Sequence, residues 1–181
     1  LREPKLTDRA TIMYTSGTTG MPKGVVLTHS AVSHAVVGIG HIIKLTKDDV
    51  TLAFLPLAHI YERVVEACVI KAGGALGFWG GDVLKVVEDM AILKPTFQPL
   101  VPRILGRLHD RIMAGVSQKT EQEQAGFKAA FAAKLAKLDA NQDPKDEKWD
   151  GLVFNKLAAM LGGRLRLVVT GSAVRQPPES V

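Results

Sequence analysis

Tyr14-Thr15-Ser16-Gly17-Thr18-Thr19-Gly20-Met21-Pro22-Lys23-Gly24 stands between two apolar, β-branched runs, residues 10–14 and 25–28. The flanking runs predict strands, so the stretch between them predicts a loop held at both ends. Gly17, Gly20 and Gly24 allow backbone conformations and close approaches that a Cβ resists. Thr15, Ser16, Thr18 and Thr19 supply hydroxyls, and Lys23 supplies a mobile point charge. Backbone N–H groups, hydroxyls and one ammonium together suit a polyphosphate. The stretch is not the GxxxxGK[ST] loop, because Lys23 follows Pro22, and Gly24 and Val25 stand where Ser or Thr and a helix would begin. A Ser/Thr/Gly-rich surface turn is the plain alternative. The ordered series of hydroxyls and glycines closing on Pro-Lys-Gly argues against it.

Outward from this loop, the 181 residues are enough for one ordinary domain with a sizeable core. A content of 46% hydrophobic and 23% charged residues is that of a soluble globular protein. No apolar run reaches the ~20 residues of a membrane span. The longest, residues 31–45, is interrupted by His34, His41 and Lys44. There is no signal-peptide pattern, and the opening on Leu1 predicts an excised or partly observed chain. The single Cys68 excludes an internal disulfide, fits a reducing compartment, and reads as a buried structural thiol in the run 64–70. A net charge of +5 is compatible with acidic ligands such as ATP or CoA. The basic residues are dispersed and no aromatic-interleaved patch occurs, which disfavours nucleic acid as a partner.

In chain order, Ser30 predicts the N-cap of a helix over 31–44. His34 and His41 lie seven apart on nearly one face, but no third ligand accompanies them, so they read as satisfied or exposed histidines. Residues 50–55 predict a buried strand, stopped by Pro56, and a helix follows to residue 72. His59 stands just past that strand's end, where ligand-contacting groups gather in α/β folds. The glycine-rich run 73–81 predicts a strand with turns at both ends, with Phe78 and Trp79 in the core. Asp82 predicts the cap of a helix over 83–93. A short strand over 96–101 precedes a helix opened by Pro102, with Arg103, Arg107 and Arg111 on its solvated face. Residues 117–140 predict an amphipathic helix, its stripe made by Phe127, Phe131, Leu135 and Leu138. Such a stripe suits packing on the parent domain, a solvent-exposed insert or a membrane surface. Residues 141–148 read as a charged, disordered loop, 149–161 as a helix ended by Gly162 and Gly163, and 164–170 as an inner parallel strand.

The loop at 14–24 resembles the phosphate-binding signature of the adenylate-forming (AMP-binding) superfamily, of which it is close to a full match. The segment Leu-Pro-Leu-Ala-His-Ile-Tyr-Glu-Arg at 55–63 resembles a second core motif of the long-chain acyl-CoA synthetase branch. The run from Gly81-Asp82 through Lys94-Pro95-Thr96 to Val101-Pro102-Arg103 is similar to the same branch. Gly171-Ser172-Ala173 resembles the family's segment lining the adenine and acyl pocket, although Val174-Arg175-Gln176 replace its usual continuation.

The resemblance implies an α/β fold, with a mixed, largely parallel sheet flanked by helices, part of the large N-terminal domain of an adenylate-forming enzyme. Residues 1–181 would be a partial AMP-binding domain, with the phosphate loop at 14–24 and a helical and charged insert at 117–148. The implied activity is that of a long-chain fatty-acid CoA ligase, with ATP, Mg²⁺ and CoA taking part. Thr15, Ser16, Gly17, Thr18, Thr19 and Gly20 would hold the β- and γ-phosphates, Thr15 could also contact Mg²⁺, and Lys23 would steady the loop or the leaving pyrophosphate. His59 would sit by the α-phosphate and acyl carboxylate, with Gly171, Ser172 and Ala173 against adenine and the acyl head. In some relatives an aromatic residue four positions after the histidine gates the acyl tunnel; here Arg63 occupies that position, so no such gate is expected. The family's Tyr-Gly-x-Thr-Glu motif, its ribose-binding Asp and the lysine of its small C-terminal domain do not occur in this sequence. The 181 residues alone are therefore expected to have little or no synthetase activity. The parent would be cytoplasmic or on the cytosolic face of a membrane, with peripheral membrane association. Two other readings stay open: a non-catalytic nucleotide- or acyl-binding module, and an aryl- or amino-acid-activating enzyme.

Overall fold

The computed structural model describes residues 2–15 and 20–171. Strands β1 (Arg9–Thr15) and β2 (Lys23–Thr28) pair as an antiparallel hairpin. Helix α1 (His29–Ile43) starts directly from β2. Its cap is Thr28, two residues earlier than the expected Ser30, because the Thr28 hydroxyl accepts from the Ala31 N–H at 3.2 Å. Ser30 lies inside the first turn, where its hydroxyl instead meets His34 Nδ1 at 3.2 Å.

Two parallel pairs follow. Strand β3 (Val50–Ala53) pairs with β4 (Ala75–Phe78), across helix α2 (Ile60–Ala72). Strand β5 (Phe97–Leu100) pairs with β6 (Leu167–Thr170). Between β4 and β5 runs α3 (Val86–Leu93), and between β5 and β6 run α4 (Pro102–Ser117), α5 (Glu121–Asp139), α6 (Glu147–Trp149), a π-helical turn (Asp150–Phe154) and α7 (Asn155–Met160). The mixed α/β class is as expected, with the strands divided into three two-stranded ladders.

Side chains and a single backbone bond, not a continuous ladder, join β3 to β5. Val50 donates to Thr96 Oγ1 (3.0 Å) and accepts from the Thr96 N–H (2.9 Å). Two residues on, Leu52 N–H donates to Gln98 Oε1 (3.0 Å), and Gln98 Nε2 donates back to the Leu52 carbonyl (2.9 Å). Pro99 comes next, fully buried and without an N–H to offer a neighbouring strand. The Gln98 amide therefore plays the part of a peptide group at a buried position where the ladder is interrupted. The matched offset of both links shows that β3 and β5 run the same way, so all four parallel strands end at one side of the molecule.

Their amino ends are closed by Asp49, which is 3% exposed. It accepts from Arg166 Nε (3.0 Å) and Nη2 (2.6 Å), Thr96 Oγ1 (2.7 Å), and the Thr46 N–H (2.8 Å) and hydroxyl (3.2 Å). The Arg166 hydrogen bonds outweigh the cost of burial and hold this carboxyl well below the usual carboxylate range. Leu52, Phe54, Val86, Met90 and Leu100 form one core cluster, and Val65, Val69 and Phe97 another under α2. Gly162 (φ 91°) lets α7 end against α3: a Cβ there would lie 2.5 Å from Lys94 Cα.

Several local expectations differ from the structure. Helix α3 starts at Val86, because Asp82 turns its carboxylate to the Leu84 N–H and its carbonyl to the Lys85 N–H, forming a turn before the helix. Phe78 is 76% exposed, and only Trp79 packs on the core. Strand β6 alternates between half-buried and exposed residues, unlike an inner strand, and pairs with β5 alone among the described residues. In α5 the Phe/Leu stripe faces outward, with Phe131, Leu135 and Leu138 41–53% exposed, while Ala130 is fully buried. The inward face carries Lys134 and Lys137, which pair with Asp150 and Asp146. Lys137 also donates to the Lys145 carbonyl (2.9 Å), so the charged segment 141–148 is anchored to α5.

Candidate functional site at the carboxyl ends of the strands

Thr15 and Lys23 are the last rung of the hairpin, facing each other across β1 and β2 at the mouth of the hydroxyl-rich loop. Directly opposed residues of an antiparallel pair project to the same face, so one hydroxyl and one ammonium stand side by side there. Both are exposed, and Lys23 has no ion-pair partner among the described residues. Gly20 has φ 93°, a left-handed conformation natural to glycine, where the chain turns back towards β2. Ser16, Gly17, Thr18 and Thr19 lie outside the described residues, as do Ser172 and Ala173.

His59 follows β3 and is the N-cap residue of α2, in an extended conformation (φ −103°, ψ 136°) that carries its side chain off the helix. The imidazole is exposed and makes no hydrogen bond among the described residues; the backbone N–H donates to the Pro56 carbonyl at 2.9 Å. Arg63 Nε reaches back to the Leu57 carbonyl at 2.6 Å, holding the same short loop from the helix side. Gly171 follows β6 and lies against the ring of Tyr61. Tyr61 Oη donates to the Val169 carbonyl at 2.8 Å, joining the first turn of α2 to the end of β6. The structure thus brings the His59 segment and Gly171 together. No hydrogen bond or ion pair among the described residues joins either of them to Thr15 or Lys23.

Glu62, beside Tyr61, is 1% exposed, and its Oε2 has no hydrogen-bond partner among the described residues. Burial, with a smaller contribution from the Glu66 charge, pushes its pKa up to about 7. Burial also raises the Tyr61 hydroxyl, which keeps it protonated and donating. Tyr61, Glu62 and Arg63 sit in the His-containing motif, yet residue types alone did not disclose their roles. The Tyr61 bond spans 108 residues, and Glu62 looks on paper like any first-turn acid.

Other candidates resolve plainly. His34 and His41 are exposed, and no group of three or more His, Cys, Asp or Glu that could hold a metal occurs among the described residues. Cys68 is buried, its thiol directed at the Val36 carbonyl 3.7 Å away, and burial raises its pKa. A concavity lined by Val36, His41, Cys68 and Lys71 lies at the other end of α2, away from His59. Arg103, Arg107 and Arg111 are exposed along α4. No helix among the described residues is long and apolar enough to cross a membrane.

Comparison with known proteins adds the following. The family model described as AMP-binding enzyme matches residues 1–178. A peroxisomal long chain acyl-CoA synthetase 6 of Arabidopsis thaliana is 42% identical over 174 residues, which are 96% of this chain and 25% of that protein. The adenylation domain of a carboxylate reductase from Mycobacterium chelonae superposes with a TM-score of 0.65 at 20% identity, over 90% of this chain and 22% of its own; at that identity the likeness is one of fold. The o-succinylbenzoate CoA synthetase of Bacillus subtilis, solved with its acyl-adenylate intermediate, gives a TM-score of 0.54 at 28% identity, over 60% of this chain and 22% of its own. The chain spans about a quarter of the length of the curated relatives it matches.

Proposed function

The chain belongs to the AMP-binding enzyme family, and on that premise we propose that it is the phosphate-loop portion of a long-chain fatty-acid CoA ligase. The observation that carries this reading is the Thr15–Lys23 rung, which sets on one face, at the mouth of the Ser/Thr/Gly loop, an exposed hydroxyl and an exposed ammonium with no ion-pair partner among the described residues. In the proposed reaction a fatty-acid carboxylate oxygen attacks the α-phosphorus of ATP. The bond to the β-phosphate bridging oxygen breaks, and pyrophosphate leaves. The CoA thiol then attacks the acyl carbon, AMP departs, and the thiol proton passes to solvent. The first step drives two anions together, so fixed donors aimed at the phosphates supply the main assistance.

In this reading Thr15, Ser16, Gly17, Thr18, Thr19 and Gly20 cradle the β- and γ-phosphates, and Lys23 offsets the charge growing on pyrophosphate. His59 stands by the α-phosphate and the carboxylate, and Gly171, Ser172 and Ala173 line the adenine and acyl-head pocket. Mg²⁺ would enter with ATP and offset the phosphate charge, and the Thr15 hydroxyl would be this chain's contact to it. Residues 117–148 act as an insert on this domain. The parent works in the cytoplasm or on the cytosolic face of a membrane.

The test is an ATP–pyrophosphate exchange screen of the full-length parent over acids of increasing chain length. Exchange that rises with chain length to palmitate and beyond is the expected result. Preference for short, aryl or amino acids overturns the fatty-acid assignment.

A further inference from the structure

The first turn of α2 is fastened on two sides. Behind it, Arg63 Nε holds the Leu57 carbonyl at 2.6 Å, and the His59 N–H holds the Pro56 carbonyl at 2.9 Å, so the loop carrying His59 is tied back at both ends. In front of it, Tyr61 Oη holds the Val169 carbonyl at 2.8 Å, in the residue before the last of β6. The Tyr61 ring packs on the cluster of Val65, Val69 and Phe97 and lies against Gly171. A Cβ built on Gly171 would stand 3.4 Å from Tyr61 Cε2, an ordinary contact, so the ring limits what larger side chain position 171 could carry.

These bonds join the two segments that reach the carboxyl side of the sheet from opposite ends of the chain. We propose that Tyr61 is a positioning residue for acyl-adenylate formation: its hydroxyl fixes the His59 end of α2 against the Gly171 end of β6, and Arg63 completes the clamp. The proposal rests on the ligase reading above. A buried tyrosine hydroxyl ordinarily finds some partner. What sets this one apart is the partner's place, two residues before Gly171, and its own place, two residues after His59. A reaction whose attacking and leaving groups must line up loses rate when such segments drift by a fraction of an ångström.

The test uses the full-length parent with palmitate as the acid. Tyr61→Phe keeps the ring and its packing and removes only the hydroxyl. Palmitate-dependent ATP–pyrophosphate exchange should fall about tenfold in kcat, the effect of one hydrogen bond to a reacting geometry, with the KM for ATP within about twofold. Arg63→Ala removes an exposed contact that the fold tolerates losing, and should lower kcat in the same sense by about threefold. Unchanged kcat in both variants overturns the proposal, as does a loss confined to thermal stability. A wild-type parent inactive towards palmitate overturns the ligase reading together with the clamp. An active wild type with indifferent variants overturns the clamp alone.

Discussion

At the amino ends of β3 and β5, Asp49 is 3% exposed and its two oxygens take hydrogen bonds from Arg166, Thr96 and Thr46. At the other side of the molecule His59 is exposed, its imidazole without a hydrogen bond among the described residues, and at the hairpin mouth Thr15 and Lys23 are exposed too. One region spends both oxygens of its buried carboxylate on its own fold, and the other leaves its polar groups exposed. A buried charge is tolerable only when fully partnered, whereas a group meant for a ligand must remain unpartnered and reachable until that ligand arrives. The amino-end seam is thus a device for stability, whereas in the proposed reading the exposed groups at His59 and at the hairpin mouth serve binding. Substitutions in the two should separate cleanly.

The largest effect is expected from Asp49→Ala, which leaves Arg166 without its carboxylate and Thr96 and Thr46 without their acceptor. The cost is about 3 kcal/mol, at the low end for breaking a buried pair, because the Arg166 side chain is 45% exposed and water takes up its charge. Urea denaturation reads it directly. Acid should have a related effect on the wild type. Asp49 is depressed in the fold, so its contribution is full above its unfolded value of 3.8 and drains away as pH falls below it.

Lys23→Ala should do the opposite of Asp49→Ala. Pyrophosphate exchange by the parent should fall about a hundredfold, while the denaturation midpoint stays put because the side chain is exposed. A Lys23 variant that loses stability instead would blur the division between the regions. Gln98→Leu comes next. It strands the buried N–H and carbonyl of Leu52, at a cost of about 2 kcal/mol by denaturation.

A pH dependence sharpens the comparison further, because Glu62 breaks the rule: it is buried, yet its Oε2 has no hydrogen-bond partner among the described residues. Its pKa is raised to about 7 from 4.5, so between those values the folded chain binds the extra proton. Stability should therefore fall as pH rises from about 4.5 through about 7, and Glu62→Gln should flatten that slope. Denaturation midpoints at pH 5 and pH 8 give the answer. An equal slope in both proteins would mean that Glu62 finds a partner in solution.

Much of the architecture was legible from the chain. Hydrophobic period and turn residues are local signals, so β1, β2, α1, α2, β5 and the Pro102 start of α4 fall where pattern places them. The family signature at 14–24 was legible for the same reason, since its hydroxyls, glycines and lysine lie within one short run. Pattern failed where a residue's neighbour is remote. Asp49 reads as part of a Lys-Asp-Asp turn until Arg166, 117 residues on, comes to meet it. Gln98 beside Pro99 gives no hint that its amide will stand in for a peptide group. The α5 stripe was legible as a helix but not as an orientation. Ala130 can approach other elements closely and Lys134 and Lys137 find acids across the turn, so they, and not Phe131 or Leu135, turn inward.

The sequence by itself determined the family and the order of strands and helices, because each is written in residues close together along the chain. Only the tertiary structure decided that Tyr61 fastens α2 to β6, that Asp49 closes the amino ends of the parallel strands, and which carboxyl is buried. Those outcomes depend on which polar groups meet after the chain has lost contact with water, and nothing local records it.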